Sequence, residues 1–97
     1  MALYLTEQDV VGLLTMDIAL EAVEDGFKHQ AAGTASNNPR RRAGLAGGEF
    51  NTMSAAAPGL GVMGMKTYGS YGPGGARFYV QLYSTETGEL MAVIEAN

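Results

Sequence analysis

The stretch PRRRAGLAGGEFNTMSAAAPGLGVMGMKTY, running from Pro39 to Tyr68, decides how the chain is read. Taken as a strand, residues 40 to 45 put Arg41 on one face with Ala43 and Leu45, and Arg40 and Arg42 on the other with Gly44. Arg41 is therefore expected to look inward. The same two-residue period over residues 62 to 68 groups Lys66 with Val62, Gly64 and Tyr68, a face with little other charge. Two cations on mostly apolar strand faces suit an anion. A guanidinium grips a carboxylate through a planar fork, and an ammonium adds a compact point charge. Arg41 and Lys66 are accordingly the candidate carboxylate-binding pair. A competing reading makes them structural partners of Glu49 or Glu95 with no ligand at all, and the triplet Arg40 to Arg42 also suits a solvated strand edge.

Working outward, Arg40 to Ala46 and Glu49 to Ala55 read as a hairpin across Gly47-Gly48, and Pro58-Gly59 marks the next turn. Gly59-Leu60-Gly61-Val62-Met63-Gly64 spells the dinucleotide fingerprint, which has meaning only between a buried strand and the start of a helix. Here Pro58 precedes it and strand follows it, so it is not read as a cofactor site. Gly69 to Ala76 is a glycine-rich loop, a connection between strands or a rim over a ligand. Arg77 to Ser84 alternates again, with Tyr79 and Tyr83 available to a site or an interface, then turns at Thr85 to Gly88. Glu89 to Glu95 is apolar on both faces, as in a sheet interior.

Upstream, Ala2 to Leu5 is a short strand. Thr6 caps a helix over Glu7 to Leu14, with Asp9 completing an imperfect capping box. Thr15 caps a second, longer helix whose Met16, Leu20, Val23 and Phe27 form a stripe expected to pack on the core, and Gly33 suits a left-handed end. His29, the single histidine, lies in the last turn without metal-ligand or catalytic partners in its own segment, so it is read as a surface residue. Thr34 to Asn38 is a polar loop.

The length of 97 residues allows one domain, and so short a chain is expected to have a marginal core unless a partner covers part of it. Cysteine is absent, which excludes disulfides and thiolate metal sites. The formal net charge of −4 argues against a nucleic-acid surface. No segment has the ~20 apolar residues of a membrane span, and the N-terminus lacks a signal-peptide pattern. The expectation is a cytoplasmic protein bound to neither membrane nor nucleic acid.

Leu3-Tyr4-Leu5-Thr6-Glu7, Asn38-Pro39-Arg40-Arg41, Gly61 to Lys66 and the ending Glu86 to Ile94 resemble the start of the ornithine cyclodeaminase and mu-crystallin family. The resemblance covers nearly the whole chain but only the first third of the family's length. It implies a partial N-terminal substrate-binding and dimerisation domain over residues 1–97, in which Arg41 and Lys66 contact the carboxylate of an amino or imino acid. It also implies NAD or NADP in the complete architecture. The family's Rossmann domain, with its cofactor glycines, has no counterpart in these residues, so no cofactor is expected for this chain alone and no catalytic residue is assigned.

These readings combine into an α+β fold of two N-terminal helices followed by a mostly antiparallel sheet of about five or six strands, self-associating as a homodimer. The expected function is the carboxylate-binding, dimer-forming part of a cyclodeaminase, alanine dehydrogenase or ketimine reductase. The alternative is a stand-alone, non-catalytic dimeric binding module or a truncated remnant.

Overall fold

The computed structural model describes residues 2–71 and 75–97. Its elements in chain order are β1 (Leu3–Leu5), α1 (Glu7–Leu13), α2 (Met16–Ala31), β2 (Ser36–Asn37), β3 (Arg41–Leu45), β4 (Gly48–Ala57), a single 3-10 turn at Pro58–Leu60, β5 (Val62–Tyr71), β6 (Ala76–Ser84) and β7 (Leu90–Glu95). The α+β architecture with two helices and a mostly antiparallel sheet is as expected. The sheet has seven strands rather than five or six, and it is mixed, because β1 runs parallel to β7.

Both helices start where the threonines predict. Thr6 accepts from the Asp9 backbone N–H while Asp9 accepts from that of Thr6, a reciprocal box that satisfies two orphan donors. Thr15 accepts from the Ile18 N–H, and Gly33 follows α2 at φ 76°, a conformation that costs glycine little. His29 is more than a surface residue. Its Nδ1 lies 2.9 Å from Thr34 Oγ1. The ring also packs so closely on Gly59 that an added Cβ would lie 2.5 Å from its Cε1. This contact fastens the end of α2 to the 3-10 turn.

The strand order is β1-β7-β6-β5-β4-β2, and β3 shares the outer edge of β4 with β2. β2 was expected to be loop. Its two polar residues carry no alternation to read, and they are extended because they pair with Ala55 and Ala56. The β3–β4 turn uses Ala46-Gly47 rather than Gly47-Gly48. Only Gly47 takes a positive φ, so Gly48 is free to begin β4 opposite Leu45. Likewise β5 extends to Tyr71 and β6 begins at Ala76, which shortens the expected glycine loop. Residues 72–74 of that loop lie outside the described residues.

β7 lies between β1 and β6, an interior place in the strand order, but of its apolar residues only Ala92 is buried. Tyr4 Oη donates to Glu95 at 2.7 Å and the Glu7 backbone N–H donates to the same carboxylate, which ties the N-terminal segment to β7. The hydrogen bond from Tyr4, followed by that from Glu7, holds the Glu95 carboxyl below its usual range. Conversely, the hydrogen bond to Glu95 pushes the Tyr4 phenol up to about 12.

Among the described residues only Ala92 and Asn51 are buried. The stripe of α2 expected to pack on the core is instead exposed, with Phe27 at 65% and Met16 at 73%. The reason is geometric: α2 meets the sheet only at its margin. There Val23, Gly26 and Phe27 face Ala55, Ala57 and Val62 across an open groove of about 340 Å³. The sheet is a single layer with apolar surface left over, as its length led us to expect.

Candidate functional site

The site follows from the register of three strands. In β4 and β5, Thr52 pairs with Thr67 and Met53 with Lys66, while β3 sets Arg41 against Thr52 and Arg42 against Asn51. Paired residues share a face, and faces alternate along each strand. One face therefore carries Arg42, Asn51, Met53, Lys66 and Tyr68, and β6 adds Phe78 and Val80. The opposite face carries Arg41, Thr52, Thr67 and Tyr79.

The structure thus does not bring Arg41 and Lys66 together, and the shared pocket expected from their separate strands is corrected. Nor does Arg41 look inward: all of β3 is exposed, because no element covers this outer strand. Two arginines stand on the Lys66 face, Arg42, which is engaged by Glu49, and Arg40. Its Cζ lies 5.9 Å from the centroid of the Tyr68 ring, and Lys66 Nζ lies 5.8 Å from the same centroid and 5.9 Å from that of Phe78. All three distances fall within the ~6 Å reach of a cation–π attraction. The two rings are stacked, with centroids 4.7 Å apart and planes inclined by 21°. Lys66 and Arg40 therefore stand over one aromatic platform contributed by β5 and β6.

The carboxylates nominated as structural partners are occupied elsewhere. Glu49 meets Arg42 at 3.8 Å, and Glu95 is held by Tyr4 and Glu7. Arg42–Glu49 and Lys28–Glu24 are the ion pairs among the described residues, so neither Lys66, Arg40 nor Arg41 has an acidic partner there. Between its register partners Arg42 and Tyr68, Asn51 is 1% exposed, and its Oδ1 has no hydrogen-bond partner among the described residues.

The glycine fingerprint opens no helix. Pro58–Leu60 forms the 3-10 turn, Gly61 follows at φ 76°, and β5 begins at Val62. Gly64 is needed for close approach instead, because a Cβ there would lie 2.7 Å from the Gln81 carbonyl oxygen. These residues do not form a pyrophosphate cradle. No helix is long and apolar enough to cross a membrane, and no group of acidic or histidine side chains that could hold a metal occurs among the described residues.

A family model described as the ornithine cyclodeaminase/mu-crystallin family matches residues 2–97. The chain belongs to that family. Among solved structures, a probable ornithine cyclodeaminase from Bordetella pertussis Tohama I is similar over 100% of this chain and 31% of its own, with a TM-score of 0.93 and 27% identity. An archaeal alanine dehydrogenase dimer with bound NAD is 31% identical, over 98% of this chain and 31% of its own, with a TM-score of 0.88. The iminosuccinate reductase of Paracoccus denitrificans, solved with NAD+, has the same fold, with a TM-score of 0.91 at 24% identity over 99% of this chain and 32% of its own. Curated proteins yield no match. The chain spans about a third of the length of these structures.

Within this member of the family, the sequence points to Lys66 as a candidate, while Arg40, the Tyr68–Phe78 platform and Asn51 emerge as neighbours only from the structure. A signal for Arg40 was present. Arg40 and Lys66 have the same parity, and two hairpin turns of even length separate their strands.

Proposed function

We propose that this chain supplies the substrate-binding, dimer-forming part of an NAD(P)-dependent protein acting on an amino or imino acid, of cyclodeaminase, alanine dehydrogenase or ketimine reductase type. Lys66 and an arginine of the pair Arg40–Arg41 hold the substrate carboxylate. The observation that carries this reading is that Lys66 and Arg40 both stand over the Tyr68 ring, Lys66 over Phe78 as well, with no acidic residue paired to either among the described residues. A carboxylate entering there gains two charge-assisted interactions, and the rings beneath exclude water and strengthen both. Family resemblance nominates Arg41 and the register nominates Arg40. The contribution of these cations is to position the α-carbon for chemistry at the nicotinamide.

The exposed stripe of α2 and the single-layered sheet support burial of that surface against a second copy. A cytoplasmic setting belongs to the same proposal. The test is to express the complete gene product, screen small amino and imino acids for turnover of NAD(P)(H), and repeat the screen with Lys66→Ala. Turnover that falls sharply with the variant supports the reading; turnover that ignores it contradicts the assignment.

A further inference from the structure

The least exposed side chain of the described molecule is not apolar. Asn51 is 1% exposed and its Oδ1 lacks any hydrogen-bond partner. A buried acceptor with no donor is unfavourable, and such groups in folded proteins are rare unless a water or a ligand completes them. Its position is as telling as its burial. Asn51 is the direct register partner of Tyr68, and the next residue of β4 on that face, Met53, pairs with Lys66. Asn51 is thus a diagonal neighbour of Lys66 on the same sheet face, beside the ring over which Lys66 and Arg40 stand.

An amino or imino acid presents two kinds of polar group one carbon apart: a carboxylate, which accepts, and a nitrogen bearing N–H, which donates. Lys66 and Arg40 can only donate. The remaining requirement of such a ligand is an acceptor close to the cations, and Asn51 Oδ1 is an unspent one.

Resting on the carboxylate reading above, we propose that Asn51 is the specificity residue for the substrate's nitrogen, its Oδ1 accepting an N–H from the amino or imino group while Lys66 and an arginine hold the carboxylate. A neutral amide accepts from an amine and from a protonated imine alike, whereas an acid with no donor on its α-carbon leaves it unpaired. The site then favours acids that bear an α-nitrogen over those with no donor at that carbon, which leave Asn51 unpaired.

The test compares, on the complete gene product, the dissociation constant of the best amino acid from the screen with that of its des-amino acid, which shares the same carboxylate and side chain. The native protein is expected to favour the amino acid by about tenfold or more, the worth of one well-made hydrogen bond. In Asn51→Leu the preference should vanish while affinity for the des-amino acid stays within about threefold, and Asn51→Asp, which keeps an acceptor, should retain it. If Asn51→Leu does not fold, Asn51→Ser removes the acceptor's reach and tests the same ratio. An unchanged ratio in the leucine or serine variant overturns the proposal, as does a change in melting temperature without a change in ratio, the signature of a purely structural asparagine. Failure of the underlying reading looks different: Lys66→Ala then alters neither dissociation constant.

Discussion

The two faces of the sheet at its β3–β6 end differ in how much of their polarity is already answered within the chain. On one, Lys66 and Arg40 stand over the Tyr68–Phe78 stack without acidic partners, and Asn51 is buried with an idle oxygen. On the other, Arg41 projects from an exposed edge strand beside Thr52 and Thr67, and further along that face Glu95 is already engaged by Tyr4 and Glu7. Apart from Arg42 and Glu49, which pair with each other, the first face holds polar groups without partners among the described residues, and the second holds polar groups that have them or are solvated. A buried acceptor without a donor beside two cations points to a ligand, whereas charge on an open edge by itself needs only water.

The sharpest way to break this contrast is to compare neighbours on β5. Lys66→Ala should cost about 2 kcal/mol of carboxylate binding, a roughly 30-fold loss in affinity, because a charge-assisted bond is removed. Thr67→Ala, one residue on and facing the other way, should change it by less than about threefold. Titration calorimetry with the screened substrate reads both. Equal effects would erase the distinction between the faces.

Next in size is Gly64→Val, which tests whether the platform depends on the close approach of β5 and β6. Its Cβ would lie 2.7 Å from the Gln81 carbonyl oxygen, and backbone cannot swing aside as a side chain can. Destabilisation of about 2–3 kcal/mol is expected in denaturant unfolding, together with weakened substrate binding as Phe78 shifts from Tyr68.

The smallest effect belongs to the answered face. Tyr4→Phe removes the hydrogen bond that raises the phenol to about 12 and lowers the Glu95 carboxyl. A raised folded-state value means that the Tyr4 contribution is complete below its ordinary value of 10.0 and is lost as pH rises toward 12. The lowered Glu95 value means that its contribution is complete above 4.5 and is lost as pH falls through the folded value. The variant should therefore unfold with flatter pH dependence at both extremes. Carboxylate binding near neutrality should be unaffected.

Much of this architecture was legible. Thr6, Thr15 and Gly33 mark helix ends by local hydrogen bonding and φ preference alone, and the structure has them where the residues suggest. Lys66 on a face with Tyr68 followed from alternation within one strand. The expectation that Arg41 looks inward beside Lys66 treats its strand in isolation. Loops of two residues between β3 and β4 and four between β4 and β5 both preserve an odd-to-even correspondence across each pair. An even-numbered residue of β3 or its lead-in must then share a face with an even-numbered residue of β5, which selects Arg40 and Arg42 rather than Arg41. Counting through the turns would have found this. By contrast, the exposure of the α2 stripe could not be read locally, since an amphipathic helix has the same pattern whether its cover comes from its own chain or from another. Asn51 was equally hidden: a single asparagine in an alternating strand carries no sign of whether its partners exist.

The central claim is that Lys66 works with the arginine on its own face. The most direct measurement is the substrate dissociation constant of the complete gene product carrying Arg40→Ala or Arg41→Ala, each alone and combined with Lys66→Ala. The account predicts that Arg40→Ala weakens binding roughly tenfold or more and is non-additive with Lys66→Ala, while Arg41→Ala changes it by less than about threefold. A large loss in Arg41→Ala with Arg40→Ala near native would contradict it, and would mean that the ligand sits on the opposite face of the sheet.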